Sequence, residues 1–130
     1  RRLLLHVGDI MHKGDRIPAV GRDAPLRDAL MEITAKGLGM TAIVDDDGVA
    51  VGIFTDGDLR RLLESTGDIR SIAIEQAMTP NPQHIGADVL AIDAAAIMDE
   101  RRISQILVKD TAGKLIGALH MHDLMTAKVI

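Results

Sequence analysis

The chain has 130 residues, a formal charge of −4 and no cysteine. That length is enough for one domain with a core that needs no covalent staples; the charge argues against a general nucleic-acid binder, which carries a basic surplus; and without thiols there are no disulfides, thiolate metal sites or cysteine nucleophiles. Phe54 is the single aromatic residue, so a stacking platform for single-stranded nucleic acid is missing, and a bound ring must be sandwiched by Ile, Met, Leu and Arg side chains.

The chain opens on Arg1 rather than on methionine and is read as part of a longer protein. Arg1 to His6 is too short for a signal peptide. No apolar run approaches the ~20 residues of a membrane span, so a soluble, cytoplasmic chain with no membrane partner is expected. Val7 to Met11 has weak helical character, and Gly14 to Pro18 breaks it. Ile17-Pro18-Ala19-Val20 reads as extended, because the residue before proline disfavours helix. Asp23 is a plausible N-cap for a helix with Pro25 in its first turn. Leu26, Ala29, Leu30, Ile33 and Thr34 form its buried stripe, and Lys36-Gly37 its C-terminus.

Met40 to Val44 is an apolar strand, Asp45-Asp46-Asp47-Gly48 a hairpin turn, and Val49 to Phe54 the return strand. Three consecutive aspartates look like a fragment of a Ca²⁺ loop, but the further ligands of an EF-hand are missing. Thr55 or Asp56 caps a helix over roughly Gly57 to Leu63, and Ser65 to Asp68 ends the unit. The order then repeats. Ala77-Met78-Thr79-Pro80 answers Asp9-Ile10-Met11, and Ala87-Asp88 caps a helix running to Glu100. Gln105 to Val108 is a strand, Asp110 to Gly113 a turn, Lys114 to Leu119 the return strand, and His122 to Lys128 the closing helix. At an offset of 65 residues Asp28/Asp93, Ala29/Ala94, Asp45/Asp110, Gly48/Gly113, Gly52/Gly117, Asp58/Asp123 and Leu59/Leu124 are identical. They fall at equivalent structural places, which marks an internal repeat. The expected fold is α/β (α+β): two pseudo-symmetric β-α-β-β-α repeats, residues 7–66 and 74–130, packed sheet to sheet with two related clefts.

The motifs carry a resemblance. Asp9-Ile10-Met11 and Ala77-Met78-Thr79-Pro80 at the unit starts, with Gly52-x-x-Thr55-x-x-Asp58 and Gly117-x-x-His120-x-x-Asp123 at the unit ends, make nearly the whole chain resemble a CBS-domain pair, or Bateman module. Leu38-Gly39-Met40-Thr41, Gly52 to Arg61 and Leu119 to Leu124 look like the C-terminal CBS pair of bacterial D-arabinose 5-phosphate isomerases. In that family an N-terminal sugar isomerase (SIS) domain does the chemistry, in the synthesis of the lipopolysaccharide sugar Kdo. The resemblance therefore implies a regulatory part with no catalytic site. It further implies a homodimer of CBS pairs within a homotetrameric parent enzyme.

In CBS domains the Asp of this pattern takes a ribose diol and the Thr faces phosphate, so the resemblance implies ligand roles for Thr55, Asp58 and Asp123. The physical grounds are a carboxylate that accepts two hydroxyls beside a helix N-terminus favourable to anions. The alternative is that Thr55 and Asp56 only cap the helix and Asp58 only complements its dipole. His120 departs from the family threonine. Protonated, it offers an anion-facing group. His122 is a further ligand-binding candidate beside it; with Asp123 the two histidines also suggest zinc, although no further fixed ligand is in sight, and no metal site is expected. Arg60 and Arg61 are candidates for reaching a phosphate; Lys36, Arg101 and Arg102 read as solvated surface.

Three functions compete. The first is a sensor binding a nucleotide or nucleotide-sugar in the inter-repeat cleft, with no required cofactor and with CMP-Kdo or an adenine nucleotide as effector. The second is an oligomerisation module with no ligand. The third, an independent enzyme, lacks a nucleophile–base constellation; its carboxylate pairs, Asp56/Asp58 and Asp99/Glu100, are explained by a cap and a helix surface.

Overall fold

A computed structural model describes residues 4–65 and 67–130. Arg1 to Leu3, part of the stretch judged too short for a signal, and Thr66, part of the expected unit end, lie outside the described residues. Among the described residues no helix is long and apolar enough to cross a membrane.

The chain forms two compact units, and each is closed by the segment that precedes the other repeat in sequence. One contains Pro18 to Pro82; the other joins residues 1–17 to residues 83–130. In the contiguous unit, β1 (Ala19–Gly21) leads through α2 (Leu26–Lys36) to β2 (Met40–Val44), a hairpin to β3 (Ala50–Thr55), and α3 (Asp56–Ser65). A short α4 (Ile74–Ala77) then delivers β4 (Thr79–Pro80) to the free edge of β3, giving the sheet order β1-β2-β3-β4. Proline is tolerated there because an edge strand leaves one row of N–H positions unpaired.

The second unit has the same plan. β5 (His84–Ile85), α5 (Ala91–Arg101), β6 (Gln105–Lys109), β7 (Leu115–His120) and α6 (Met121–Thr126) follow in order, with the sheet β5-β6-β7. Its β7 edge is closed by the N-terminal segment, where α1 (Val7–Ile10) leads to an antiparallel bridge between His12 and Ala118. β1 and β5 run parallel to β2 and β6, whereas both hairpins are antiparallel. Each hairpin carries an irregularity at the same place, between Ile43 and Val44 and between Val108 and Lys109.

The expected hairpins form for a visible reason. Asp45 Oδ1 accepts the N–H groups of Asp47 and Val49, and Asp110 Oδ1 accepts those of Ala112 and Lys114. Gly48 and Gly113 supply the positive φ that closes each turn. Asp45 is therefore committed to its own turn.

Helix starts differ from the sequence expectation. Pro25 and Leu90 occupy the N-cap positions of α2 and α5, not Asp23 and Asp88. On α2, Leu26, Ala29 and Ile33 are buried and Leu30 half-buried, whereas Thr34 is exposed and donates to the Leu30 carbonyl. The stripe thus ends one position early. Gly37 ends α2 in the left-handed region, and Arg102, at the equivalent place after α5, does so at φ 57°.

Each unit buries its own core. Phe54 packs with Leu26, Ala29, Ile33, Ile43 and Ile74 in one. Leu119, at the position equivalent to Phe54, packs with Val7, Ala94, Met98, Val108 and Leu124 in the other. Ile74 and Val7, both fully buried, come from the closing segments. This burial is what fixes α4 and α1 in place.

Candidate functional site: two strand-to-helix corners

In the first corner β3 runs directly into α3. Asp58 N–H donates to Thr55 Oγ at 3.1 Å, and Thr55 N–H donates to Asp58 Oδ2 at 3.0 Å. This reciprocal pair satisfies two backbone donors that the start of a helix otherwise orphans. The expected cap forms through Thr55, with Asp58 as its reciprocal partner; Asp56 is the first residue of the helix and not its cap. The other carboxylate oxygen, Oδ1, accepts from Arg61 at 2.6 Å. The Arg61 side chain is 71% exposed and that of Asp58 14%. Arg61 thus meets the carboxylate from one turn along the same helix, while Arg60 is exposed. Because its own end of the pair is solvated, Arg61 can exchange Asp58 for water more readily than a buried partner could.

The second corner repeats the frame with different chemistry. His120 N–H donates to Asp123 Oδ2 at 2.8 Å, as Thr55 does to Asp58. His120 Nδ1 accepts the His122 N–H at 2.9 Å, so the imidazole takes over the capping task of the threonine hydroxyl. Nδ1 is then the unprotonated nitrogen and the neutral ring carries its hydrogen on Nε2. Burial holds the His120 pKa below its ordinary value, and His122 and His12 push it the same way against the opposing pull of Asp123. The imidazolium given an anion-facing role from sequence is disfavoured; a neutral His120 offers a ligand one N–H donor. His122 is exposed, its ring edge-on to His120 with centroids 6.4 Å apart.

His12 was not a candidate from sequence. Its Nε2 lies 2.9 Å from Asp123 Oδ1, with only 17% and 19% of the two side chains exposed. Arg16 lies 3.4 Å from His12 Nδ1. Because a guanidinium only donates, Nδ1 accepts and Nε2–H points at Asp123. The signal available in the sequence was positional: His12 follows Met11 as Thr79 follows Met78, in the segments that close the β7 and β3 edges.

The basic residues read as surface stand apart from the corners. Lys36 pairs with Glu32 at 2.6 Å, and Arg101 donates to Gln83 at 2.9 Å. Arg102 is exposed. Among the described residues no group of three or more His, Asp or Glu side chains is arranged to hold a metal ion.

Two small α/β units, each with a capped strand-to-helix corner and a closing segment on the edge of its hairpin, define a tandem-repeat module. The CBS-domain family model matches residues 7–65 and 69–130, and the chain belongs to that family. It is 52% identical, over its whole length, to arabinose 5-phosphate isomerase KdsD of Salmonella typhi and 49% identical to that of Escherichia coli K12, covering 39% of each. The corresponding protein of Pseudomonas aeruginosa is 47% identical, with 40% of it covered. The chain thus spans about two fifths of the length of these curated relatives. Among solved structures, CBSX2 in complex with AMP superposes with a TM-score of 0.80 at 26% identity, covering 96% of both chains. The CBS-domain pair of MJ0100, in complex with 5′-methylthioadenosine and S-adenosyl-L-methionine, gives 0.85 over 97% of both chains; at 23% identity it supports the fold alone.

Proposed function

We propose that this chain is the regulatory, ligand-sensing CBS pair of a D-arabinose 5-phosphate isomerase whose catalysis resides in a separate sugar isomerase domain. Identity of about half over the full chain to the KdsD enzymes supports the parentage. The observation that carries the sensing role is the first corner: a capped helix start with a largely buried Asp58 whose Oδ1 accepts from the exposed Arg61. A vicinal diol replaces that contact, and the freed guanidinium is then available to a phosphate. The ligand class is a nucleotide or nucleotide-sugar. CMP-Kdo, a product of the cytoplasmic route to lipopolysaccharide, combines a ribose for Asp58 or Asp123 with a phosphate and a carboxylate for Arg61 and the histidines. Regulation requires that the ligand favour one of two states of the parent enzyme, a homotetramer built with homodimeric CBS pairs.

Titration calorimetry of the chain with CMP-Kdo, CMP, AMP and ATP tests the reading. Heat with at least one is expected, with a rise in stability of about 2.7 kcal/mol at a hundredfold excess over Kd. No heat and no thermal shift with any of them overturns sensing and leaves the oligomerisation module, for which exposed Met31 and Leu63 provide apolar surface.

A further inference from the structure

The two corners hold their carboxylates in the same way at one oxygen and in different ways at the other. Oδ2 of Asp58 and of Asp123 each accepts the backbone N–H of the capping residue. Oδ1 of Asp58 meets Arg61, three residues along the same helix and mostly exposed; Oδ1 of Asp123 meets His12, 111 residues away in sequence and mostly buried. The main chain of His12 is pinned to β7. Its N–H donates to the Ala118 carbonyl at 2.8 Å, and its own carbonyl accepts from Ala118 at 3.1 Å. Beside it, Met11 lies against Gly117, leaving no room for a Cβ there. The carboxylate of Asp123 can only accept, so the ring presents Nε2–H to it, with Arg16 3.4 Å from Nδ1.

We propose that His12 is the residue that sets which corner accepts a diol-bearing ligand: it is a built-in occupant of Asp123, so that the Asp58 corner binds first and the Asp123 corner only when His12 is displaced. The inference rests on the ligand reading given above and adds the selection between corners. A diol needs outward acceptor capacity on the carboxylate. At Asp58 that capacity is released when a solvated arginine swings away. At Asp123 it is released only when a charge-assisted bond is broken and a backbone-anchored imidazole moves, so binding there is weaker by about tenfold or more. The ligand class is a ribonucleoside phosphate, and the distinguishing group is its 2′,3′-diol.

The test is an AMP and CMP titration of ¹⁵N-labelled chain followed at two backbone amides, Gly57 in the first corner and His122 in the second. In the unmodified chain Gly57 is expected to shift at a concentration at least about tenfold lower than His122. In His12→Ala the two midpoints converge, and His12→Gln, which keeps a donor, restores part of the gap. The 2′-deoxy nucleotide removes the difference by losing the diol. Equal midpoints in the unmodified chain overturn the inference, as does a His122 amide that stays silent in a folded His12→Ala chain while Gly57 shifts; in both cases the ligand reading survives. No shift at either corner in any variant overturns both. Should His12→Ala fail to fold, long-range ¹⁵N spectra of the unmodified chain decide: an Nδ1–H tautomer at His12 removes the pair with Asp123 and refutes the proposal.

Discussion

Gly117→Ala isolates the contact that seats the N-terminal segment on the second unit. A Cβ at this position meets Met11 Sδ and lies 2.9 Å from Met11 Cγ and 3.2 Å from the His12 carbonyl oxygen. The thioether can swing aside, since methionine has three rotatable bonds. The carbonyl cannot, because it is tied to Ala118. The segment must therefore move by a few tenths of an ångström, an overpacking error that costs about 1–3 kcal/mol. Gly21→Ala is the control: nothing lies within 4 Å of its added methyl, so its effect stays within about 0.5 kcal/mol. Urea unfolding of both variants reads the difference. Met11→Ala combined with Gly117→Ala should recover part of the loss, with a coupling of at least about 0.5 kcal/mol. If Gly117→Ala costs no more than Gly21→Ala, the tight seating is refuted. If the double variant is strictly additive, the clash is not with Met11.

Arg102→Gly should raise stability by about 0.5 kcal/mol in urea unfolding, because it relieves a left-handed residue worth about 1 kcal/mol and is partly offset by the greater freedom of glycine in the unfolded chain. A loss of stability would mean that the arginine side chain contributes more than its backbone conformation costs. His120 is held below its ordinary value of 6.5. The unfolded chain therefore binds more protons than the folded one as pH falls through that value, and stability present above it is lost. Comparing urea midpoints from about pH 7.5 to about pH 5.5, His120→Thr should show a shallower fall than the unmodified chain; identical slopes would refute the assignment.

The repeat was legible because turn chemistry is local. Asp45 and Asp110 form their turns with neighbours two and four residues away, and Gly48 and Gly113 sit where a positive φ is required. The carboxylates of the corners were legible for the same reason, since a capping box spans only three residues. The helix starts at Pro25 and Leu90 were misplaced because Asp23 and Asp88 satisfy a capping pattern without occupying the cap. His12 was missed on different grounds. Reading Asp9-Ile10-Met11 as the start of the first repeat gave no reason to place it beside Asp123. The pairing depends on which sheet edge receives the segment, and that choice is made by burial of Val7 and packing of half-buried Met11 rather than by local sequence. Arg60 and Arg61 were indistinguishable in the sequence; helical spacing from Asp58 favours the residue at i+3.

The allotment of segments also dictates an order of events during synthesis. The unit from Pro18 to Pro82 is continuous, so it has all its parts once its last strand has emerged. The other unit cannot close then: its first 17 residues must wait for the strands and helices of residues 83–130. Its sheet edge at β7 and the carboxylate of Asp123 are completed last, by a contact spanning 111 residues. Long loop closure of this kind slows folding and leaves an open strand edge exposed in the meantime. The N-terminal segment thus acts as a late-fitting clasp on a corner made at the far end of the chain.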